Sequence, residues 1–118
     1  MCGFVGYIGN FDKELLLKMT KTLSYRGPDD LGTWQSEDQL IGLGHTRLSI
    51  QDLSSAGHQP MKTEDERFII VFNGEIYNFP ELRADLEKSG ISFRSKTDTE
   101  VILKGYAKVG FDFFKMLN

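Results

Sequence analysis

The sequence is poor in cysteine, histidine and proline, and those shortages narrow the chemistry open to it. A single cysteine, Cys2, excludes an intrachain disulfide and any cysteine-rich metal centre. His45 and His58 are the only histidines, too few and wrongly spaced for a zinc motif, so no metal site is expected. Positive charge is not in excess: 14 Lys and Arg stand against 17 Asp and Glu, for a formal net charge of −3. Such a chain has no basic field for nucleic acid or an anionic membrane. No apolar run reaches transmembrane length, and no basic stretch leads into an apolar one as in a signal peptide. The expected compartment is the cytoplasm, where a free thiol stays reduced. What remains, 118 residues with 40% hydrophobic and 26% charged, is the composition of a soluble globular protein. That length allows one domain at most, with a modest core.

Hydrophobic spacing divides the chain into short elements. Phe4 to Ile8 reads as a strand interrupted by glycine. Asp12 to Ser24 reads as a helix, with Asn10 or Asp12 as cap and Leu15, Leu16, Met19 and Leu23 on one face; Gly27-Pro28 ends it. Gly32 to Ser36 and Gln39 to Thr46 read as a strand pair. Arg67 to Asn73 is expected to be the strongest strand, packed on both sides because Phe68 to Phe72 are continuously apolar. Glu81 to Ser89 is a helix with Asn78 as cap and Gly90 beyond its end. Ile91 to Phe93 reads as a short strand. Thr97-Asp98-Thr99-Glu100 fits a capping box opening a helix to about Val109, and Phe111 to Leu117 reads as one more short helix. Mixed helices and adjacent strands give an α+β class.

Few residues can carry chemistry. Cys2 directly follows Met1. A cysteine whose own α-amine is free has a nucleophile and a base on one residue, since the amine titrates near pH 8 and the thiol at about 8.5. A lone cysteine can equally be a small buried hydrophobe. Asn73-Gly74 is a strong turn signal; the same pair can donate a carboxamide and a backbone N–H to a developing oxyanion. Arg47 is a surface charge or a fork for a carboxylate. Asp98 is a helix-start residue or a partner for an ammonium group. His45 is a satisfied core histidine or a donor behind the site.

Taken together and in order, these stretches carry a resemblance. Met1-Cys2-Gly3, Arg26-Gly27-Pro28-Asp29, Arg47-Leu48-Ser49-Ile50 with Asp52-Leu53-Ser54, Gly57-His58-Gln59-Pro60-Met61, Asn73-Gly74-Glu75-Ile76-Tyr77-Asn78 and Asp98-Thr99-Glu100-Val101-Ile102-Leu103 are similar to the class II, N-terminal-nucleophile glutamine amidotransferases. The Arg26 to Asp29 and Glu75 to Asn78 forms resemble the asparagine synthetase branch.

The resemblance implies residues 1–118 as the N-terminal part of a class II amidotransferase domain, with stacked sheets flanked by helices (αββα), incomplete here, and with the synthetase domain absent. It implies glutamine as substrate, Cys2 as nucleophile forming a thioester, and Asn73 and Gly74 as the oxyanion hole. Arg47 would take the substrate carboxylate and Asp98 its ammonium. Leu48, Ile50 and Glu75 would line the pocket, and Arg26 would support the nucleophile. No cofactor is expected in this chain; ATP and Mg would belong to the missing synthetase domain or subunit, the expected partner. A homo-oligomer is a further expectation, through sheet edges left unpaired. The alternative is a truncated, non-catalytic homologue acting as a binding module.

Overall fold

The computed structural model describes residues 1–118, which form two compact units. The first consists of Met1–Ile50, His58–Pro60 and Val71–Asn73; the second of Gln51–Gly57, Met61–Ile70 and Gly74–Asn118.

In the first unit, strand β1 (Gly3–Ile8), helix α1 (Lys13–Lys21), strand β2 (Asp30–Gln35) and strand β3 (Ile41–Arg47) follow in order. They make a three-stranded antiparallel sheet, β1-β3-β2. Gly3 pairs with Thr46 at one end of β1 and Ile8 with Ile41 at the other, while Asp30 pairs with Arg47 on the opposite edge. The central strand is therefore β3, rich in glycine and polar side chains rather than apolar ones. It is central because both neighbours pair with it and α1 packs against it. Helix α1 starts where Asp12 accepts a hydrogen bond from the Leu15 N–H at 2.6 Å, satisfying one of the free donors of its first turn. Its buried face is Leu16 and Thr20; Leu15, expected on that face, is exposed. Full burial of Leu16 stabilises the helix on the sheet by about 1.5–3 kcal/mol.

The second unit contains the short antiparallel pair β4 (Met61–Lys62) and β5 (Ile69–Ile70), helix α2 (Phe79–Lys88), helix α3 (Asp98–Val109) and a 3-10 segment, Gly110–Met116. A core of Leu82, Leu86, Val101 and Phe113 joins α2, α3 and the 3-10 segment, with Ile91 and Phe93 packed against it. Thr97 caps α3 by accepting from the Glu100 N–H at 3.3 Å. The reciprocal half of a capping box is missing, because the Glu100 carboxylate accepts instead from the Arg94 and Ser95 backbone N–H groups at 2.6–3.1 Å and from the Ser95 hydroxyl at 2.7 Å. Lys104, one turn along, pairs with the same carboxylate at 3.1 Å. No helix is long and apolar enough to cross a membrane.

The α+β class holds: antiparallel sheets with flanking helices. Three local readings do not. The expected strand over 67–73 shrinks to Ile69–Ile70, and its apolar residues are half-buried. Beyond Ile70 the backbone leaves the ladder and is satisfied by side chains: the Phe72 N–H donates to Gln59 Oε1 at 2.6 Å and the Phe72 carbonyl lies 3.1 Å from His45 Nε2. Ile91 to Phe93 is no strand, since the Ile91 N–H turns back to the Leu86 carbonyl and ends α2. The short helix expected over 111–117 is present, as the 3-10 segment Gly110–Met116. Asn78, placed as a cap, makes no cap bond; its amide bonds Met116 O and the Asn118 N–H at 2.8 Å each.

Candidate active site

Strand β1 begins at Gly3, so Cys2 is held just before the sheet edge. Its half-buried thiol lies against the backbone just past β3: the Leu48 N–H donates to Cys2 Sγ at 3.3 Å, and Sγ points to Leu48 O at 3.7 Å. The Cys2 carbonyl accepts from Arg26 Nε at 3.0 Å. Both flanks of the cysteine are thus fixed by residues far along the chain.

The turn that follows α1 explains its own sequence. Arg26 reaches Cys2. Gly27 lies so close to β3 that a Cβ there would sit 2.4–2.5 Å from backbone atoms of Thr46 and Arg47. Pro28 bridges Arg47, and the Asp29 N–H donates to the Arg47 carbonyl at 3.0 Å. Asp29 Oδ2 then accepts from the Ser49 N–H at 2.8 Å. Arg26-Gly27-Pro28-Asp29 is a brace that holds the end of β3, and with it the Leu48 peptide under the thiol.

Of the expected site residues, Cys2, Arg26, Arg47, Leu48, Ile50 and Asn73 lie in the first unit and Gly74, Glu75 and Asp98 in the second. Within the first unit the structure brings Cys2, Arg26 and Leu48 into contact. Arg47 is buried at the end of β3, whereas Ile50 is 76% exposed and Asn73 is exposed. Within the second unit Gly74 and Glu75 are exposed. Asp98 is 4% exposed at the start of α3, with Oδ2 accepting from the Ile76 N–H at 3.0 Å and its own N–H donating to Gln51 Oε1 at 3.1 Å. That carboxylate therefore ties the Gly74 to Asn78 stretch, through Ile76, to the start of α3.

Two buried groups have shifted titration. Burial lowers the His45 pKa, opposed by the bond to the Phe72 carbonyl and by Asp30, and reinforced by Arg47 and His58. For Glu100, burial acts upward as the largest single influence, but the Arg94 and Ser95 donors and Lys104 together bring it below its ordinary value.

Sequence reasoning missed Asp29, Gln59 and Glu100 as individual actors. Asp29 and Gln59 sit inside the stretches that carry the resemblance; their roles depend on partners about 13 to 20 residues away, which spacing does not reveal. An apolar groove of about 360 Å³ in the second unit, lined by Phe68, Ile70, Ile102, Tyr106, Phe111 and Phe114 among others, holds no nucleophile and no charged group.

Comparison with known proteins gives the chain a family. A glutamine amidotransferase domain model matches residues 1–118. Asparagine synthetase [glutamine-hydrolyzing] 1 of Bacillus subtilis is 43% identical over 113 residues, covering 90% of this chain and 17% of its own length. Asparagine synthetase [glutamine-hydrolyzing] 1 of Arabidopsis thaliana is 38% identical over 123 residues, covering all of this chain and 20% of its own. A Methanocaldococcus jannaschii protein, provisionally designated an asparagine synthetase of the same kind, is 44% identical over 138 residues, covering all of this chain and 26% of its own. The chain spans about a quarter of the length of these curated relatives or less.

Proposed function

This chain belongs to the glutamine amidotransferase domain family, and on that premise we propose that it hydrolyses the side-chain amide of glutamine and supplies the ammonia to an acceptor site elsewhere in the protein that carries it. The observation that carries the reading is the position of Cys2: at the head of β1, its thiol held by the Leu48 peptide and its carbonyl by Arg26. An N-terminal cysteine so placed has the one thiol in the chain and, once Met1 is removed, a base on the same residue.

The chemistry follows from the residue types. The Cys2 amine takes the thiol proton, and the sulfur attacks the glutamine amide carbon, forming the S–C bond. The carbonyl π electrons move to oxygen, and the Asn73 carboxamide and Gly74 N–H stabilise that charge. Collapse expels ammonia, which leaves with the proton returned by the amine, and a γ-glutamyl thioester remains. Water, deprotonated by the same amine, cleaves the thioester to glutamate and restores the thiol. Arg47 pairs with the α-carboxylate and Asp98 Oδ1 with the α-ammonium, which selects a free amino acid over a glutamine inside a peptide. Leu48, Ile50 and Glu75 line the side-chain pocket. The names of the relatives favour aspartate as acceptor, its amidation to asparagine carried out beyond this chain with ATP and Mg.

The test is ammonia release from glutamine by the whole protein and by its Cys2→Ala variant. Loss of release with an unchanged thermal transition is the expected result. Release at the parental rate removes Cys2 from the mechanism, and no release by the parent leaves a binding module.

A further inference from the structure

Asn73 lies just past the point where the chain leaves β5 (Ile69–Ile70), and no strand pairs with it. A carboxamide that must meet a developing oxyanion needs a fixed direction, because a misplacement of about 1 Å can cost roughly 100-fold in rate. The preceding residue supplies the fixed point. Both backbone polar groups of Phe72 are held by side chains of the first unit: its N–H donates to Gln59 Oε1 at 2.6 Å, and its carbonyl lies 3.1 Å from His45 Nε2. A carbonyl only accepts, so Nε2 carries the proton.

The two holding residues are themselves anchored. His45 is 1% exposed in the central strand, where it pairs with Gly32 of β2. Gly32 is the point at which the His58–Pro60 stretch crosses the sheet: a Cβ there would lie 2.1 Å from Gln59 O and 2.6 Å from the His58 ring. His58 Nδ1 contacts Asp30 Oδ2 at 2.6 Å, two residues along the same strand, and pins the stretch from its other side. Burial lowers the His45 pKa and so favours the neutral ring, whose tautomer is selected by the Phe72 carbonyl beside Nε2.

We propose that His45 and Gln59 are positioning residues for the reaction: by gripping the two peptide groups that flank Phe72 they aim the Asn73 carboxamide at the oxyanion. The inference rests on the assignment of Asn73 as an oxyanion donor. Neither residue touches substrate. The competing account, that the two side chains merely satisfy the Phe72 backbone, affects stability alone.

The two accounts separate in a double-mutant cycle on the whole protein, with glutamine hydrolysis and thermal unfolding both measured. Asn73→Ala alone should lower kcat by about 10²–10³, the usual loss for one oxyanion donor. His45→Leu and Gln59→Leu should each lower kcat roughly tenfold with little change in KM, since the substrate's charged ends are held elsewhere. His45→Gln, whose amide N–H reaches about as far as the imidazole Nε2–H, and Gln59→Glu, which keeps an acceptor, should recover most of the rate. In the Asn73→Ala background His45→Leu should cost almost nothing further, because the group it aims is gone. If His45→Leu does not fold, Gln59→Leu carries the same comparison. A loss of equal size with and without Asn73, or a lowered thermal transition with kcat intact, overturns the proposal while leaving the oxyanion assignment standing. An unchanged rate in Asn73→Ala itself sinks that assignment and the proposal with it.

Discussion

The thiol of Cys2 is bonded to the backbone of Leu48: the Leu48 N–H donates to Sγ at 3.3 Å across 46 residues of sequence. The thiol's position is therefore set by whatever sets the path of the chain just past β3. That path is fixed by the turn that follows α1, where Asp29 bonds the Arg47 carbonyl and the Ser49 N–H on either side of Leu48. Sequence, brace and thiol form one line of dependence, and it can be cut at a residue that carries no functional group.

Gly27 is that residue. A Cβ at this position would meet backbone atoms of Thr46 and Arg47 at 2.4–2.5 Å, and backbone in a central strand cannot swing aside as a side-chain end can. Gly27→Ala should cost at least about 1–3 kcal/mol, the usual penalty for overpacking. It should also lower glutamine hydrolysis more than its stability loss explains, because the Leu48 peptide moves with the strand end. Denaturant unfolding and a rate measured well below the transition check both parts. An Ala variant as stable as the parent would show that the turn is not clamped to β3.

Arg47 offers a test of substrate recognition. It is buried at the end of β3, and its proposed work is to pair with the α-carboxylate of glutamine. Removing one partner of a desolvated charge pair costs about 2–5 kcal/mol, so Arg47→Ala should raise the KM for glutamine at least 30-fold. The parent should discriminate against glutamine α-amide by a similar factor, and the variant should lose most of that discrimination. Equal kcat/KM for the two compounds in the parent would remove the carboxylate-fork role.

How much of this was legible in the sequence depends on how far apart the partners lie. Helix α1 and its cap at Asp12, helix α3 and its cap at Thr97, and the β2–β3 pair were readable, because each rests on spacing or on a neighbour a few residues away. The stretch Phe68 to Phe72 was misread. Its apolar run suggests a long buried strand, but the Phe72 backbone is satisfied by His45 and Gln59, 27 and 13 residues distant, and no local pattern encodes that. The proposed roles of Cys2 and Asn73 rest on the company these residues keep along the chain, not on their own surroundings. Arg26 to Asp29 could be recognised as a motif, yet its work as a brace becomes visible only when β3 is seen beneath it.

Glu100 makes acid stability testable. The residue is 3% exposed, and its carboxylate is held by two backbone N–H groups, the Ser95 hydroxyl and Lys104. Burial works against the charged form, but these donors outweigh it and the pKa falls below 4.5. A carboxylate depressed in the folded state contributes stability above its unfolded pKa and loses it as pH falls through the folded value. The Arg94 to Thr97 turn should therefore loosen on acidification below about pH 4.5. Glu100→Gln should be less stable by about 1–3 kcal/mol at pH 7, since an amide cannot serve every donor. The gap between variant and parent should narrow as pH drops below 4.5. Unfolding curves across pH 3–7 measure it, and a gap that stays constant would show that Glu100 does not titrate in this range.

Met1 decides whether the proposed base exists. While Met1 is attached, the nitrogen of Cys2 belongs to a peptide bond; resonance makes it planar and removes its basicity. It cannot take the thiol proton, so the same chain with and without its first residue should differ in chemistry and scarcely in fold. Met1 is 72% exposed, and β1 begins only at Gly3, so its loss disturbs no pairing. The small Cys2 side chain should also permit removal of the methionine in the cell. The active protein is expected to begin at Cys2, and preparations that retain Met1 should hydrolyse glutamine far more slowly with an unchanged unfolding transition. Intact-mass measurement on fractions of known activity joins the two quantities directly. Full activity in a sample shown to retain Met1 would transfer the base to another group. His45 is the nearest candidate by residue type, yet its Nε2 is committed to the Phe72 carbonyl, so a water would be left to accept the thiol proton.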